Sequence, residues 1–260
     1  NTYKNDGLID IGLGPHAVYT ADLDYLKKIS DYAQEYKLPI HIHLSETEKE
    51  NEDCYKKYHM SPTELFDKAG IFKNKTIAAH GVYLSDNDLD IIKENNVSIV
   101  HNPASNLKLS SGFLNLSRLF DKKINVCLGT DSSASNNKLS ILREMEITGL
   151  VSKLYADKNI EAYEILKMAT INGAKALGME NELGTVEEGK FADLILIDLD
   201  NINHKPNQNI LTSLIYSTYE SDIKYTIING KIVYENGNVV SLERDKLNQN
   251  IKESSKRLGL

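Results

Sequence analysis

Short apolar runs alternate with longer helical stretches over the first two-thirds of the chain, and few folds accept such an order of elements. The apolar runs have the length and composition of β-strands. They are Leu8–Leu13, Leu38–Leu44, Lys75–Ala79, Val97–Val100 and Ile124–Gly129. Strands separated by helices are typical of βα units that feed a parallel sheet, so the sequence predicts an α/β fold.

The helical stretches between these runs are amphipathic. Ala21–Tyr36 carries apolar residues at helical spacing, so one face is expected in the core and the other in solvent. Thr20 is its expected N-cap. Leu139–Leu154 and Ala162–Leu177 are predicted as further helices.

Two helix starts are marked by capping boxes. Ser61 and Glu64 form one, with a proline between them at the first helical position, and Gly70 is expected to end that helix. Ser85 and Asp88 form a second box of the same kind. The sequence therefore predicts where two helices begin.

From about Gly184 the chain becomes rich in short β-like runs. Ala192–Asp198 and Ile223–Tyr234 are the strand candidates, and Asn236 with Gly237 predicts a hairpin turn. The last stretch, Leu242–Leu260, is charged with sparse apolar positions and is predicted as a surface helix.

Composition excludes several classes of function. Lys and Arg total 30 against 37 Asp and Glu, a formal net charge of −7, so binding to nucleic acid or to an anionic membrane surface is not expected. No apolar stretch approaches the roughly 18 to 20 residues of a transmembrane helix. Cys54 and Cys127 cannot build a disulfide framework, and a cytoplasmic location is expected. Because residue 1 is Asn and not Met, we expect the chain to begin inside a longer protein.

Each predicted parallel strand ends in a polar residue that can bind a metal ion or a substrate. In chain order these residues are His16, His43, His80, His101 and Asp131. The carboxyl ends of parallel strands meet at one edge of a sheet, so the five side chains are expected to converge on a metal or a polar substrate. For any single histidine the alternative is a hydrogen-bonded structural residue.

Strand alternation separates the two histidines of the second strand from their neighbour. His41 and His43 share one face, with Ile42 on the other. His43 lies nearest the strand end. His41 lies one layer deeper and is expected to be a buried structural partner.

Glu46 follows His43 by three residues and is expected to reach the same small volume. A carboxylate there suits proton transfer beside a metal-bound water. The alternative is an ordinary acidic residue in the first turn of the next helix. The loop Ser132–Asn137 can hydrogen-bond a sugar or heterocycle, or can be a plain turn.

Several short motifs resemble one known family. They are Gly14-Pro15-His16, His43-Leu44-Ser45-Glu46, Ala78-Ala79-His80-Gly81, His101-Asn102-Pro103 and Leu128-Gly129-Thr130-Asp131. In this order they resemble the amidohydrolase superfamily, and within it most closely the methylthioadenosine/S-adenosylhomocysteine deaminases, with the chlorohydrolase-like enzymes close by. Leu183-Gly184-Thr185 and the run Glu188–Leu194 are similar to the family's entry into its β-sandwich domain, and Ile228–Lys231 to the hairpin that follows.

The resemblance implies a metal-dependent hydrolase with a TIM-like (β/α)8 barrel, of which strands 4 to 8 are present. It makes His43 and Asp131 metal ligands, from strands five and eight, for one Zn²⁺ or another divalent ion per active site. Catalytic roles fall to Glu46, His80 and Asp131: Glu46 as general acid/base, and His80 as the group that acts on the attacking oxygen. His16 and Ser135, together with Glu46, are the implied substrate-binding residues.

One part of the family pattern is missing from this sequence. The family's first strand carries a His-x-His pair that supplies two further metal ligands, and no such pair precedes His16. Three of eight βα units are also missing, so we expect a fragment of a longer enzyme, with completion by another polypeptide as the alternative. The predicted domains are a partial barrel over residues 1–182, the C-terminal part of a β-sandwich over 183–240, and a terminal helix over 241–260.

The function implied by the resemblance is hydrolytic deamination of adenine nucleosides, such as S-adenosylhomocysteine, methylthioadenosine or adenosine, with release of ammonia. The expected partner is therefore a small purine nucleoside, and homo-oligomers are known within the family. Two alternatives stay open: action on another N-heterocycle, as in guanine deaminases or chlorohydrolases, and a non-catalytic truncated relative. A doubly wound α/β binding domain is disfavoured because no glycine-rich phosphate loop follows the first strand.

Overall fold

A computed structural model describes residues 9–206 and 208–259 of the chain. They form two compact units. The first runs to Thr185 and takes in Asn209–Tyr216, and the second comprises Val186–Gln208 and Ser217–Leu260. The sequence-based division assigns all of residues 183–240 to the β-rich part, whereas the structure groups Asn209–Tyr216 with the first unit. None of the helices in the described residues is both long and apolar enough to cross a bilayer.

The first unit is built on a five-stranded parallel sheet in the order β1-β2-β3-β4-β5. Its strands are β1 (Leu13–His16), β2 (Ile40–Leu44), β3 (Thr76–His80), β4 (Ser98–His101) and β5 (Val126–Leu128). Its helices are α1 (Leu23–Tyr36), α2 (Glu48–Tyr58), α3 (Pro62–Lys68), α4 (Asp86–Glu94), α5 (Pro103–Lys108), α6 (Leu116–Asp121), α7 (Ser133–Asn136), α8 (Ile141–Tyr155), α9 (Ala162–Met168), α10 (Ile171–Leu177) and α11 (Ile210–Tyr216). The predicted order of parallel strands and helices is confirmed.

The first strand differs from the prediction. The apolar run Leu8–Leu13 overlaps the strand only at Leu13, and its first residue, Leu8, lies outside the described residues. Pairing with β2 begins only at Leu13, which lies opposite Ile40, and continues to His16. The apolar pattern therefore identified the strand but placed it too early, because the hydrogen-bonding partner sets where β1 begins.

The start of α1 also differs. Asp22 is the N-cap, since its Oδ1 accepts a hydrogen bond from the backbone N–H of Tyr25 at 2.8 Å. The expected cap, Thr20, instead donates its hydroxyl to the carbonyl of Ala17 at 3.0 Å and contacts His16 Nδ1 at 2.8 Å. The prediction was wrong because Thr20 belongs to the turn that supports His16.

Both predicted capping boxes are present, at Ser61 before α3 and at Ser85 before α4. Gly70, which follows α3, takes a left-handed φ of 80°. The predicted helix Ala162–Leu177 is two helices, α9 and α10, because Thr170 between them leaves helical backbone geometry. Periodicity alone did not reveal that break.

The main core lies between one face of the sheet and the helices packed on it. Ile40, Ile42 and Leu44 of β2 are fully buried there with Leu26 of α1 and Phe66 of α3. Because alternate residues of a strand point to opposite faces, the polar residues of β2 lie on the other face. Packing of the core therefore determines which face of the sheet presents the polar side chains.

The second unit is an antiparallel sheet with a helix. Its elements are β6 (Leu194–Ile197), β7 (Ile223–Ile228), β8 (Lys231–Glu235), β9 (Asn238–Val239) and α12 (Arg244–Leu258). The predicted turn at Asn236 and Gly237 is confirmed, and both residues have positive φ, as a tight hairpin requires. The predicted run Ile223–Tyr234 is two strands, with an additional turn at Asn229 and Gly230.

Candidate metal centre

At four of the five strands of the parallel sheet, a residue at or shortly after the strand end has left-handed backbone. His16, Ser45, His80 and Asp131 have φ values of 70°, 47°, 77° and 57°. Residues other than glycine rarely adopt this region, and such residues concentrate at functional sites. This backbone geometry turns the chain sharply after β1, β2, β3 and β5 and redirects the side chains there.

His80 illustrates the effect. In the register of the sheet it lies beside Leu44, whose side chain is buried in the helix-facing core. The His80 ring nevertheless stacks on His43, which lies on the opposite face of β2, with ring centroids 5.4 Å apart. The left-handed φ at His80 removes it from the strand alternation and allows this direction.

Three side chains bring metal-ligand atoms together. His43, His80 and Asp131 each offer one such atom, and the three atoms lie within 4.8 Å of one another. His80 is fully buried, and His43 and Asp131 are half-buried. Side chains at the ends of β2, β3 and β5 therefore converge on one small volume.

The ring nitrogens of this group are suited to metal binding. His43 Nδ1 and His80 Nε2 are buried and have no hydrogen-bond partner among the described residues. Burial, and next the charge of His80, lower the pKa of His43, while Asp131 and Glu46 act in the opposite direction. A histidine kept neutral in this way retains the lone pair that a metal ion needs.

The orientation of His80 is fixed by Asn106 of α5. His80 Nδ1 lies 2.7 Å from Asn106 Oδ1 in the protein interior. Since an amide oxygen only accepts hydrogen bonds, Nδ1 of the ring is the donor in this contact. Nε2 faces Glu46, whose Oε2 lies 3.8 Å away.

Asp131 is held as a carboxylate by two hydroxyl groups. Ser105 Oγ and Ser135 Oγ donate to Asp131 Oδ2 at 2.6 and 2.7 Å. Burial raises the pKa of this carboxyl, but the two hydroxyls, the backbone of Ser132 and the charge of His80 outweigh it, so the pKa lies below its usual value. Asp131 is therefore anionic, as a metal ligand should be.

Glu46 lies beside the cluster in the loop after β2. Its side chain is 15% exposed, and its Oε1 accepts a hydrogen bond from Ser111 Oγ at 2.9 Å. Its backbone N–H donates to Glu50 Oε2 of α2 at 2.8 Å. Burial raises the pKa of Glu50 to about 7, against the backbone hydrogen bonds that lower it. Glu46 is thus positioned by a second, more deeply buried carboxyl.

His16 and Ser135, the substrate-binding candidates besides Glu46, each contact one member of the cluster. The His16 ring packs 4.7 Å from that of His43, and burial, then the charge of His43, lower the pKa of His16. Ser135 is buried and its Oγ is engaged by Asp131. Both residues therefore lie at the site, while the Ser135 hydroxyl is already used to orient the carboxylate.

Two other histidines lie outside the cluster. His41 was expected to be buried, whereas in the described chain its side chain is exposed and its ring lies edge-on to that of His43, with centroids 6.3 Å apart. His101 is fully buried edge-on against Phe113, and neither of its ring nitrogens has a partner among the described residues. Burial lowers the pKa of His101 to about 3, so it is neutral.

Several supporting residues were not identified from the sequence. They are Glu50, Ser105, Asn106 and Ser111. Ser105 and Asn106 lie in the first turn of α5, which begins two residues after β4 ends at His101, so their place at the start of that helix was an available signal. Glu50 contacts Glu46 locally, four residues further along the chain, and follows the N-cap Thr47 by three residues, so this Thr-x-x-Glu pattern was also an available signal. Ser111 contacts Glu46 only through the tertiary fold.

Comparison with known proteins places this geometry in a family. A family model described as "Amidohydrolase family" matches residues 2–233. The chain belongs to the amidohydrolase family. The predicted fold class is thereby confirmed: the five parallel strands and the antiparallel sheet are those of the amidohydrolase (β/α)8 barrel and its additional β domain.

Individual relatives agree with this assignment. The chain is 43% identical to a 5-methylthioadenosine/S-adenosylhomocysteine deaminase of Thermoanaerobacter pseudethanolicus, over 99% of this chain and 61% of the relative. It is 41% identical to a 5'-deoxyadenosine deaminase of Methanobrevibacter smithii, over 97% of this chain and 59% of the relative. The crystal structure of an adenosine deaminase from Xanthomonas campestris with bound zinc matches with a TM-score of 0.93 and 31% identity, over 98% of this chain and 59% of that one. The chain thus spans between 59 and 61% of the length of these proteins.

Proposed function

We propose that the protein is a divalent-metal-dependent hydrolase that deaminates adenine nucleosides and releases ammonia. The observation that carries the proposal is the convergence of His43, His80 and Asp131 within 4.8 Å, with two buried ring nitrogens that lack a partner among the described residues. The resemblance to proteins named as adenosine-type deaminases supplies the substrate class: S-adenosylhomocysteine, methylthioadenosine and adenosine.

His43 and Asp131 are the proposed ligands of the ion, which we take to be Zn²⁺, one per active site. Imidazole nitrogen and carboxylate oxygen are ordinary Zn²⁺ ligands. A bound divalent ion lowers the pKa of a coordinated water toward about 7 and so supplies a nucleophile at neutral pH. Asp131 suits the role of metal ligand because Ser105 and Ser135 already hold it as an anion.

Glu46 is the proposed carrier of protons. Its Oε2 faces the cluster and lies 3.8 Å from His80 Nε2, within reach of a group bound between them. It takes a proton from the attacking water and passes it to the purine ring nitrogen next to the reacting carbon. It then takes the remaining proton from the added oxygen, which becomes the carbonyl, and delivers it to the departing amine. The C–N bond breaks, a C–O bond forms, and the products are the 6-oxo nucleoside and ammonia.

His80 and the substrate-binding candidates complete the proposed site. His80, held through Asn106, contacts the attacking oxygen and keeps it directed at the ring carbon. His16 lies at the edge of the cluster, where it can contact the nucleoside. Ser135 reaches the substrate only through the loop that it helps to order, because its hydroxyl bonds Asp131.

The test is ammonia release by the gene-encoded protein, meaning this chain with any residues that its gene adds at either end. The zinc-loaded protein is assayed with S-adenosylhomocysteine, methylthioadenosine and adenosine. Glu46→Gln is expected to lower kcat at least about 100-fold while zinc binding is kept, because it removes the proton carrier and no ligand. Glu48→Gln, an exposed carboxyl close by, is the matched control and should stay within twofold.

Two results would contradict the proposal. Absence of ammonia with every adenine nucleoside from the zinc-loaded parent protein would reject the activity. Parent-like turnover by Glu46→Gln would reject the assigned proton carrier and leave the metal site standing.

A further inference from the structure

Glu144 is a buried carboxyl that lies outside the cluster described above. It belongs to α8 and is fully buried. Its Oε2 accepts a hydrogen bond from the backbone N–H of Ala104 at 2.9 Å, and its Oε1 accepts one from Asn136 Nδ2 at 2.8 Å. Both carboxyl oxygens are therefore used, each by a different segment of the chain.

The first of these segments is α5, and it orients two members of the cluster. Ala104 immediately precedes Ser105, which donates to Asp131 at 2.6 Å. Asn106, the next residue, accepts from His80 at 2.7 Å. A shift of the first turn of α5 would therefore move both of these hydrogen bonds.

The second segment is the loop after β5. Asn136 Nδ2 also donates to the carbonyl of Thr130 at 2.7 Å, directly before Asp131 in the chain. Asn136 Oδ1 accepts from Arg143 at 3.1 Å, so both ends of its amide have defined partners. Ser135, its neighbour, is the second hydroxyl on Asp131. Glu144 thus fixes the loop that carries the anionic ligand.

We propose that Glu144 is a positioning residue that sets the distance between Asp131 and His80 by joining α5 to the loop after β5. The proposal rests on the proposed function, since the consequence is felt at the metal site. Glu144 does not reach the cluster itself. Its effect passes through Ser105 and Asn106 on one side and through Asn136 on the other.

The chemistry of the two hydrogen bonds makes Glu144→Gln an informative change. A carboxylate accepts with both oxygens, whereas glutamine accepts with one and presents an N–H₂ group at the other position. That group would face the N–H of either Ala104 or Asn136, and one segment must move away. The size and shape of the side chain stay almost unchanged, so packing of α8 is not the main variable.

The first readout is the dissociation constant of Zn²⁺, measured by competition with a chromophoric chelator on the gene-encoded protein. Loss of residues that orient metal ligands commonly costs about 10- to 100-fold in affinity. Glu144→Gln is expected to fall in that range. Glu146→Gln, an exposed carboxyl on the same helix, should stay within twofold of the parent.

A second control distinguishes a positioning role of Glu144 from a role in fold stability alone. Ile165→Val removes one buried methyl group from α9 and lowers the stability of the fold without touching the segments above. If zinc affinity simply followed stability, a stability-matched Ile165→Val protein would lose as much affinity as Glu144→Gln. We expect its affinity to equal that of the parent.

The second readout is the ¹⁵N NMR signal of the His80 ring in the zinc-free protein, assigned by its loss in His80→Gln. In the parent we expect the tautomer with the proton on Nδ1, and in Glu144→Gln a mixture, because Asn106 is no longer held. Should Glu144→Gln fail to fold, Asn136→Ala tests the loop side alone and should weaken zinc binding in the same direction, by less.

These two readouts distinguish failure of the proposed function from failure of the positioning role of Glu144. A parent protein that binds no zinc rejects the proposed function, and the His80 signal still tests the role of Glu144. Unchanged zinc affinity and an unchanged His80 signal in Glu144→Gln would overturn the positioning role even if the parent is an active deaminase.

Discussion

Glu50 makes the stability of the first unit depend on pH. This carboxyl is 5% exposed, and its Oε1 has no hydrogen-bond partner among the described residues, while its Oε2 accepts from the backbone of Glu46. Burial raises its pKa from 4.5 to about 7. The folded protein therefore holds a proton on Glu50 over a pH range in which the unfolded chain has released it.

The direction and size of the effect follow from this difference. Because the folded pKa lies above the unfolded one, the contribution of Glu50 is fully present below about pH 4.5 and is lost as the pH rises through about 7. At about 1.4 kcal/mol for each pH unit, the whole loss is about 3 kcal/mol. Glu50→Gln lacks the titrating group. The free energy of unfolding of this variant, relative to that of the parent, should therefore increase by about 3 kcal/mol between pH 4 and pH 8.

The assay is urea unfolding followed by far-UV circular dichroism, at several pH values and with a chelator present throughout. Other titrating groups, including the histidines of the cluster, are common to both proteins and largely cancel in the difference. Glu48→Gln, an exposed carboxyl at the start of the same helix, serves as control and should give a flat difference. A flat difference for Glu50→Gln as well would refute the buried, protonated state of Glu50.

Three further substitutions test the geometry. Ser135→Ala removes one of the hydroxyls on Asp131, and since hydrogen bonds to charged groups contribute about 1.5 to 3 kcal/mol, zinc affinity measured by chelator competition should fall about tenfold or more. Gly129→Ala places a Cβ 2.5 Å from Asn102 Oδ1 at the end of β5, so urea unfolding should report a loss of about 1 to 3 kcal/mol; parent-like stability would contradict this close approach. Ser61→Ala removes a helix cap and should lower stability by about 1 kcal/mol in the same assay, with zinc binding unchanged.

Much of the architecture could be read from local patterns. The alternation of apolar runs and helices predicted the parallel order, and the boxes at Ser61 and Ser85 predicted two helix starts correctly. The start of β1 and the cap of α1 were misplaced because they depend on partners that local patterns do not reveal. Leu13 pairs with a strand 27 residues later, at Ile40, and Thr20 is taken up by the turn under His16.

The site was predictable where chemistry and strand position coincide. His43, His80 and Asp131 each stand at a strand end, and the structure brings their ligand atoms together. His101 stands at a strand end too, yet it is buried against Phe113, because only the tertiary fold determines which rim residues face the cluster. Glu144 could not be found from the sequence, because its partners at Ala104 and Asn136 lie on other segments.

The central claim is that His43 and Asp131 hold a catalytic divalent ion, and elemental metal analysis of the gene-encoded protein tests it most directly. The protein is expressed with zinc, dialysed and measured beside Asp131→Asn, which keeps the shape of the side chain and removes its charge. We predict one zinc per parent chain and a zinc content near zero in the variant, with loss of ammonia release. A parent chain without metal, or a variant that keeps stoichiometric zinc, would contradict the assignment.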